Sequence, residues 1–118
     1  MYEATKLKLR TKRFAISLIR LFRSLPRTEE ARVIGRQFIR SGTSIAANYR
    51  AACRARSKAE FVSRIGTVVE EADETVFWIE MLSEADVLSS VATREVLAEA
   101  NELLAIFAAS QRTARRTT

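Results

Sequence analysis

Apolar residues recur every three or four positions through the centre of the chain. The series passes through the glycine of the segment RSGTSIAANYR (40–50) without losing phase: Ala31, Ile34, Phe38, Gly42, Ile45, Tyr49 and Ala52. This is the period of an amphipathic α-helix. Because a loop at the glycine would reset the period, the sequence predicts one continuous helix over about 28–54.

A phosphate-binding loop is the alternative interpretation of the glycine segment. The chain lacks the Gly-x-x-x-x-Gly-Lys-Ser/Thr pattern and shows no strand before the segment, so the motif has little support. Within a helix, Gly42 costs about 1 kcal/mol relative to alanine. We expect that it lets a neighbouring helix approach closely, and a local kink is the other possibility.

Similar apolar patterns predict three further helices, over about 7–24, 58–85 and 93–113. Pro26 ends the first, Thr28 is a candidate N-cap of the second, and Ser57 with Glu60 matches the capping box of the third. The only proline and three glycines leave little material for strands and tight turns. The predicted fold is therefore all-α, an antiparallel up-down-up-down four-helix bundle forming a single domain over 1–118.

Charge is distributed unevenly along the chain, whose net charge is +6. Residues 1–58 carry 15 Lys and Arg against 3 Asp and Glu, whereas residues 59–111 carry 2 against 11. The first two predicted helices are thus basic and the last two acidic. Either the two halves pack together and neutralise each other, or one face attracts an anionic partner.

Five arginines are predicted to lie on one side of the second helix, opposite its apolar stripe: Arg32, Arg36, Arg40, Arg50 and Arg54. The planar guanidinium group donates two parallel hydrogen bonds to a phosphate, so such a row suits a nucleic-acid backbone. The alternative is that these arginines are solvated, or pair with glutamates of a neighbouring helix or subunit. No aromatic residues alternate with them, so sequence-specific reading of a single strand is not indicated.

Catalysis and metal binding have little basis in the sequence. The chain has no histidine, which excludes Ser–His and Cys–His nucleophile systems, and its single cysteine, Cys53, is expected to be an inert thiol. The acidic cluster Glu70, Glu71, Asp73 and Glu74 is better explained as a solvated or interface surface than as a carboxylate metal site. We predict no catalytic residue, metal, cofactor or small-molecule substrate, and therefore no enzyme.

Phe77, Trp78 and Met81 lie partly off the apolar stripe of the third helix. They form either a wide core stripe or an oligomer interface, for which a closed homo-oligomer is the usual form. No segment approaches the roughly 18 apolar residues of a membrane span. The sequence therefore favours a soluble, cytoplasmic protein that does not contact membranes.

The segment 40–57, RSGTSIAANYRAACRARS, together with the following capping box and the glutamate-rich third helix, resembles a bacterial protein family. This is the family of four-helix bundles associated with intervening sequences in large-subunit rRNA genes, ribosomal by name. The similarity covers about 14–109 and is most specific at Ser44-Ile45-Ala46-Ala47-Asn48. This chain has Ala46 where many relatives have proline, and Ala51 where many have glutamate.

The resemblance implies an up-down four-helix bundle, commonly assembled as a homopentamer. A similar bundle is an accessory protein of diversity-generating retroelements, in which a basic pentameric barrel binds nucleic acid and a reverse transcriptase. The family supplies no active-site residues. Taken together, we predict a non-enzymatic homo-oligomer that binds RNA or DNA, structured RNA above all, through its arginines. A protein-interaction scaffold with intersubunit ion pairs is the alternative.

Overall fold

Four α-helices make up the computed structural model, which describes residues 2–116. They are α1 (Tyr2–Arg23), α2 (Glu29–Ala52), α3 (Lys58–Glu84) and α4 (Ser90–Arg116). Each helix packs against the next along the chain, most extensively α2 against α3, and α1 closes the bundle against α4 through a smaller contact. The molecule measures 47 × 21 × 20 Å. The predicted all-α four-helix bundle is confirmed.

Side-chain hydroxyl groups fix where the later helices begin. Thr28 accepts a hydrogen bond from the Ala31 amide (3.3 Å), and Ser57 accepts one from the Glu60 amide (3.1 Å). Both caps were predicted, because hydroxyl groups satisfy amides that have no partner at a helix start. A third hydroxyl, that of Ser89, accepts a hydrogen bond from the Ala92 amide at 3.1 Å.

The outer helices are longer than predicted. α1 begins at Tyr2 instead of near 7, and α4 spans Ser90–Arg116 instead of about 93–113. The sequence-based bounds followed the apolar stripe, which is weak at these ends. Local helix propensity extends α1, and the Ser89 cap places the start of α4 one turn earlier.

The glycine segment lies inside α2. All seven residues of the predicted stripe are buried, and α2 runs unbroken through Gly42. An added Cβ at Gly42 would lie only 1.9 Å from Cδ1 of Leu18 on α1. Two turns earlier in α2, Gly35 has the same role beside Phe22. The expectation of close helix approach is confirmed, and α1 and α2 meet along a narrow seam.

Tyr49 gives the fold a dependence on alkaline pH. Its ring lies 5.0 Å from that of Phe107, and burial, together with a hydrogen bond to the Cys53 thiol, raises the pKa of its hydroxyl. In the unfolded chain a tyrosine ionises near pH 10. Between that pH and the higher pKa of the folded state, only the unfolded state releases the proton.

We therefore expect the Tyr49 hydroxyl to favour folding fully below about pH 10 and progressively less above it. The Tyr49→Phe variant should lose less stability than the native protein between pH 9 and pH 11. The measurement is the free energy of unfolding in urea at both pH values. An equal loss in both proteins would contradict the assignment.

Candidate nucleic-acid interface

Helix periodicity brings most of the cations of the basic half to one surface, the outer face of the α1–α2 seam. Lys12 and Arg23 are 11 residues apart on α1, about three turns. Arg32 and Arg50 on α2 are 18 residues apart, about five turns, and so are Arg36 and Arg54. All these side chains are exposed. We call this surface the α1–α2 face.

At one end of this face lies a groove of about 560 Å³. Two cations from each helix line it, and we call them the groove cluster: Lys8, Lys12, Arg50 and Arg54. Uncharged residues complete the lining: Thr5, Leu9, Thr43, Ala46 and Ala47. The small alanine side chains leave the groove open between the two rows of cations. No carboxylate belongs to this lining.

A second group of cations lies at the other end of the face, around the α1–α2 loop. Arg23, Arg27 and Arg32 border a depression of about 230 Å³ with Phe22 and Pro26. Arg36 follows Arg32 by one helical turn. These four arginines form the loop cluster. Glu29, exposed at the start of α2, lowers the net charge of this cluster without forming an ion pair with it in the described chain.

Arg40 differs from the other four predicted arginines because it turns toward α3. Its guanidinium group lies 3.6 Å from Glu71 and contacts the Glu74 carboxylate, and it also donates to the Gln37 amide oxygen at 3.1 Å. The side chains of Arg32, Arg36, Arg50 and Arg54 have no ion pair or hydrogen-bond partner among residues 2–116. The predicted stripe is thus divided into two unpaired groups, with the ion-paired Arg40 between them.

This difference predicts different changes in melting temperature for two substitutions that remove the same charge. Arg40→Gln should lower the melting temperature by a few degrees, since a half-exposed ion pair contributes up to about 1 kcal/mol. Arg36→Gln should leave the melting temperature within about 1 °C, because it removes no contact. Differential scanning fluorimetry of the two variants measures this, and equal melting temperatures would contradict the different roles.

Polar contacts continue from Arg40 along the α2–α3 seam. Ser44 donates a hydrogen bond to Glu71 (3.2 Å), and the Asn48 amide donates to the Ser44 hydroxyl (2.7 Å). Glu74 accepts a hydrogen bond from the indole nitrogen of Trp78 at 3.0 Å. Within the segment that carries the family resemblance, Ser44 therefore links α2 to α3, and Asn48 binds the Ser44 hydroxyl from one turn along α2.

The residues of the predicted oligomer interface are exposed to different degrees. Phe77 is 50% exposed, whereas Trp78 and Met81 are half-buried and pack against the core. The rings of Phe77 and Trp78 meet edge to face, with centroids 4.9 Å apart. Part of this group therefore belongs to a wide core stripe, and Phe77 remains available to a partner.

Arg10 joins the basic and acidic halves on the opposite side of α1. It binds Glu99 through two hydrogen bonds (2.7 and 2.8 Å) and Glu102 through a third (2.6 Å), and both carboxylates raise the pKa of its guanidinium group. Arg10 and Arg40 are therefore partly neutralised inside the molecule. The groove cluster, in contrast, has no carboxylate partner in the described part of the chain.

The sequence named Arg50 and Arg54 individually, but Lys8 and Lys12 were missed. Their spacing of four residues was a visible signal that both lie on one side of α1. Which side faces the arginines depends on how α1 and α2 are rotated against each other, and the small residues Gly35 and Gly42 determine that contact.

Residues 2–116 contain neither a candidate membrane span nor a candidate metal cluster. No helix there has an apolar stretch long enough to cross a membrane. The same residues bring no three histidine, cysteine, aspartate or glutamate side chains together in a way that could hold a metal ion. The predicted acidic cluster is divided, because Glu71 and Glu74 face Arg40 while Glu70 and Asp73 point to solvent.

The fold and this face define an all-α protein class: a four-helix bundle with a cationic surface between its first two helices. The model of the family described as 23S rRNA-intervening sequence proteins matches residues 4–109, and the chain belongs to this family. The predicted membership is confirmed.

A solved structure of a protein of unknown function from the S23 ribosomal protein family of Bacteroides thetaiotaomicron is similar to the chain. It has 28% sequence identity and a TM-score of 0.81, and the match covers 88% of this chain and 96% of that one. No curated protein sequence gives a significant match.

Proposed function

We propose that this protein is a non-enzymatic, homo-oligomeric, cytoplasmic protein that binds nucleic acid, RNA in preference to DNA, through the α1–α2 face. One observation carries the proposal. Four cations line an open groove that contains no carboxylate, and none of them has an ion-pair partner in the described residues. Cations used only for internal stability would be paired, as Arg10 and Arg40 are.

The chemistry of the groove suits phosphate groups. Lys8 and Lys12 are one turn apart on α1, and Arg50 and Arg54 are one turn apart on α2, so two rows of donors face each other. Phosphates bound there release the counterions that surround nucleic acid. The uncharged residues that complete the lining leave space for a phosphate backbone without competing charge. The family's association with rRNA intervening sequences supports RNA as the ligand.

Self-association would strengthen the positive electrostatic potential that the groove cations create. Copies of the groove held in one assembly act at high effective concentration, so a modest patch binds a long ligand tightly. The half-exposed Phe77 and the unpaired acidic residues of α3 offer a surface for a second copy. A homopentamer is the form that the family resemblance suggests.

A titration with structured RNA over a salt series tests the proposal. We expect micromolar or tighter binding near 0.15 M salt, and a log–log slope of about −3 to −4 if the four groove cations each neutralise one phosphate. Absence of binding at 0.05 M salt would contradict the proposal, because counterion release favours association most strongly there.

A protein-interaction scaffold is the second candidate, and the exposure of Phe77 favours it. In this candidate the free arginines pair with glutamates of another copy. Phe77→Glu should then reduce the assembly from oligomer to monomer, because a buried charge at an interface is costly. Multi-angle light scattering measures the mass, and Val91→Glu, at an even more exposed apolar residue outside the patch, is the control.

Loss of assembly in the Phe77 variant together with unchanged RNA affinity per subunit would separate the two roles. An unchanged mass would remove Phe77 from the interface and contradict the scaffold candidate at this surface.

A further inference from the structure

We infer that the α1–α2 face binds double-stranded RNA and spans one groove of the RNA helix. The groove cluster contacts the backbone of one strand, and the loop cluster contacts the backbone of the other. This inference rests on the proposed function and names its ligand class. The inference follows from the division of the cations into two groups. The sequence did not indicate this division, because it placed Arg40 in one continuous row with the other arginines.

The two clusters are separated along the bundle. At about 1.5 Å per residue, Lys12 and Arg23 are about 16 Å apart along α1, and Arg36 and Arg50 about 21 Å apart along α2. Lysine and arginine side chains are long and flexible enough to adjust this span by several ångströms. Two phosphate backbones on either side of a duplex groove match such a separation, and the molecule is long enough to hold both contacts.

The stretch between the clusters has few cations: Arg40 is paired with Glu71 and Glu74, and Arg20 is exposed beside Ile19. Ile16 and Ile19 are 40% and 36% exposed, and Thr43 and Ala47 occupy the corresponding turns of α2. A single strand lying along the face would place several phosphates over these isoleucines, where it would meet fewer cations than at either cluster. In a bridging duplex the isoleucines instead meet sugars and base edges, which the wide, shallow minor groove of A-form RNA exposes.

The absence of stacking platforms agrees with a duplex ligand. Proteins that hold single strands usually stack the unpaired bases on aromatic side chains. The exposed large apolar residues of this face are Leu9, Ile16, Ile19 and Phe22. Only one of these is aromatic, and it is packed edge to face against Phe38 with ring centroids 6.4 Å apart.

Fluorescence anisotropy with a duplex RNA of about 16 base pairs, and with one of its strands alone, tests the inference. The variants are a groove pair (Lys12→Gln with Arg50→Gln), a loop pair (Arg23→Gln with Arg32→Gln), their combination, and Ile19→Lys. On the duplex, each pair should reduce the salt slope by about 2 and the combination by about 4, because each lost cation releases about one counterion fewer.

Ile19→Lys distinguishes the two binding modes. With a bridging duplex its new charge lies over a groove, so the slope should stay within about 0.3 of the native value. A salt slope steeper by about 1 would mean that phosphates lie over the centre of the face, and it would overturn the inference. Equal or tighter binding of the single strand would do the same.

The outcomes also separate this inference from the proposed function. The single strand could bind tightly, with a salt slope that only the groove pair reduces. That result would support nucleic-acid binding but contradict binding of a duplex. Binding to phosphatidylserine vesicles with no binding to either RNA would reject both, and would assign the face to an anionic lipid surface.

Discussion

Replacing Lys8, Lys12, Arg50 and Arg54 together by glutamine is expected to lower the affinity for RNA by about 10²–10³-fold at roughly 0.15 M salt. Each of these cations lacks a partner in the described chain, so each is free to neutralise a phosphate. The fold should tolerate the change, because all four side chains are exposed. Anisotropy titrations at several salt concentrations measure both the affinity and its slope.

A matched control removes the same amount of charge elsewhere. Arg64, Arg94, Arg112 and Arg115 are exposed residues outside the α1–α2 face. Replacing these four by glutamine should change the affinity by less than about fivefold, because charges further away than the Debye length of about 8 Å are screened. Equal losses in the two variants would show that net charge, and not the groove, determines binding.

Gly42→Ala is expected to destabilise the protein by about 1–3 kcal/mol, although alanine is the better helix former by about 1 kcal/mol. The new Cβ would lie 1.9 Å from Cδ1 of Leu18, which is fully buried and cannot move without disturbing the core. Overpacking therefore exceeds the gain in propensity. Urea unfolding measures the change, and a more stable variant would contradict the close approach of α1 and α2.

Gly66→Ala is the control for this prediction. Gly66 is also in the interior of a helix, but an added Cβ would meet only the flexible amide end of Gln111, at 3.1 Å. Here the helix propensity should prevail, and the variant should be up to about 1 kcal/mol more stable. If the free energy of unfolding falls in Gly42→Ala and rises in Gly66→Ala, contact with α1 is the reason why position 42 does not tolerate alanine.

Much of the fold could be predicted because its signals are local. The apolar period of α2 needs only neighbouring residues, and so do the caps at Thr28 and Ser57. The bounds of α1 and α4 were less accurate, because their ends carry no apolar stripe. At Ser89, a hydroxyl cap went unrecognised among the polar residues of the connection.

The candidate site was less predictable, because it depends on the relation between helices. Arg36 and Arg40 are one turn apart in sequence, yet only Arg40 lies within reach of carboxylates on α3. Lys8 belongs to the groove because of the rotation of α1 against α2, which glycines set through close contact. A helical wheel of one helix contains none of this information.

Isoleucine methyl NMR spectra, recorded with and without duplex RNA, would test the central claim most directly. If the α1–α2 face binds RNA, the Cδ1 methyl signals of Ile16 and Ile19 should shift or broaden, while that of Ile106 on α4 stays unchanged. Shifts at Ile106 with none at Ile16 and Ile19, at an RNA concentration that saturates binding, would place the ligand on another surface and contradict the claim.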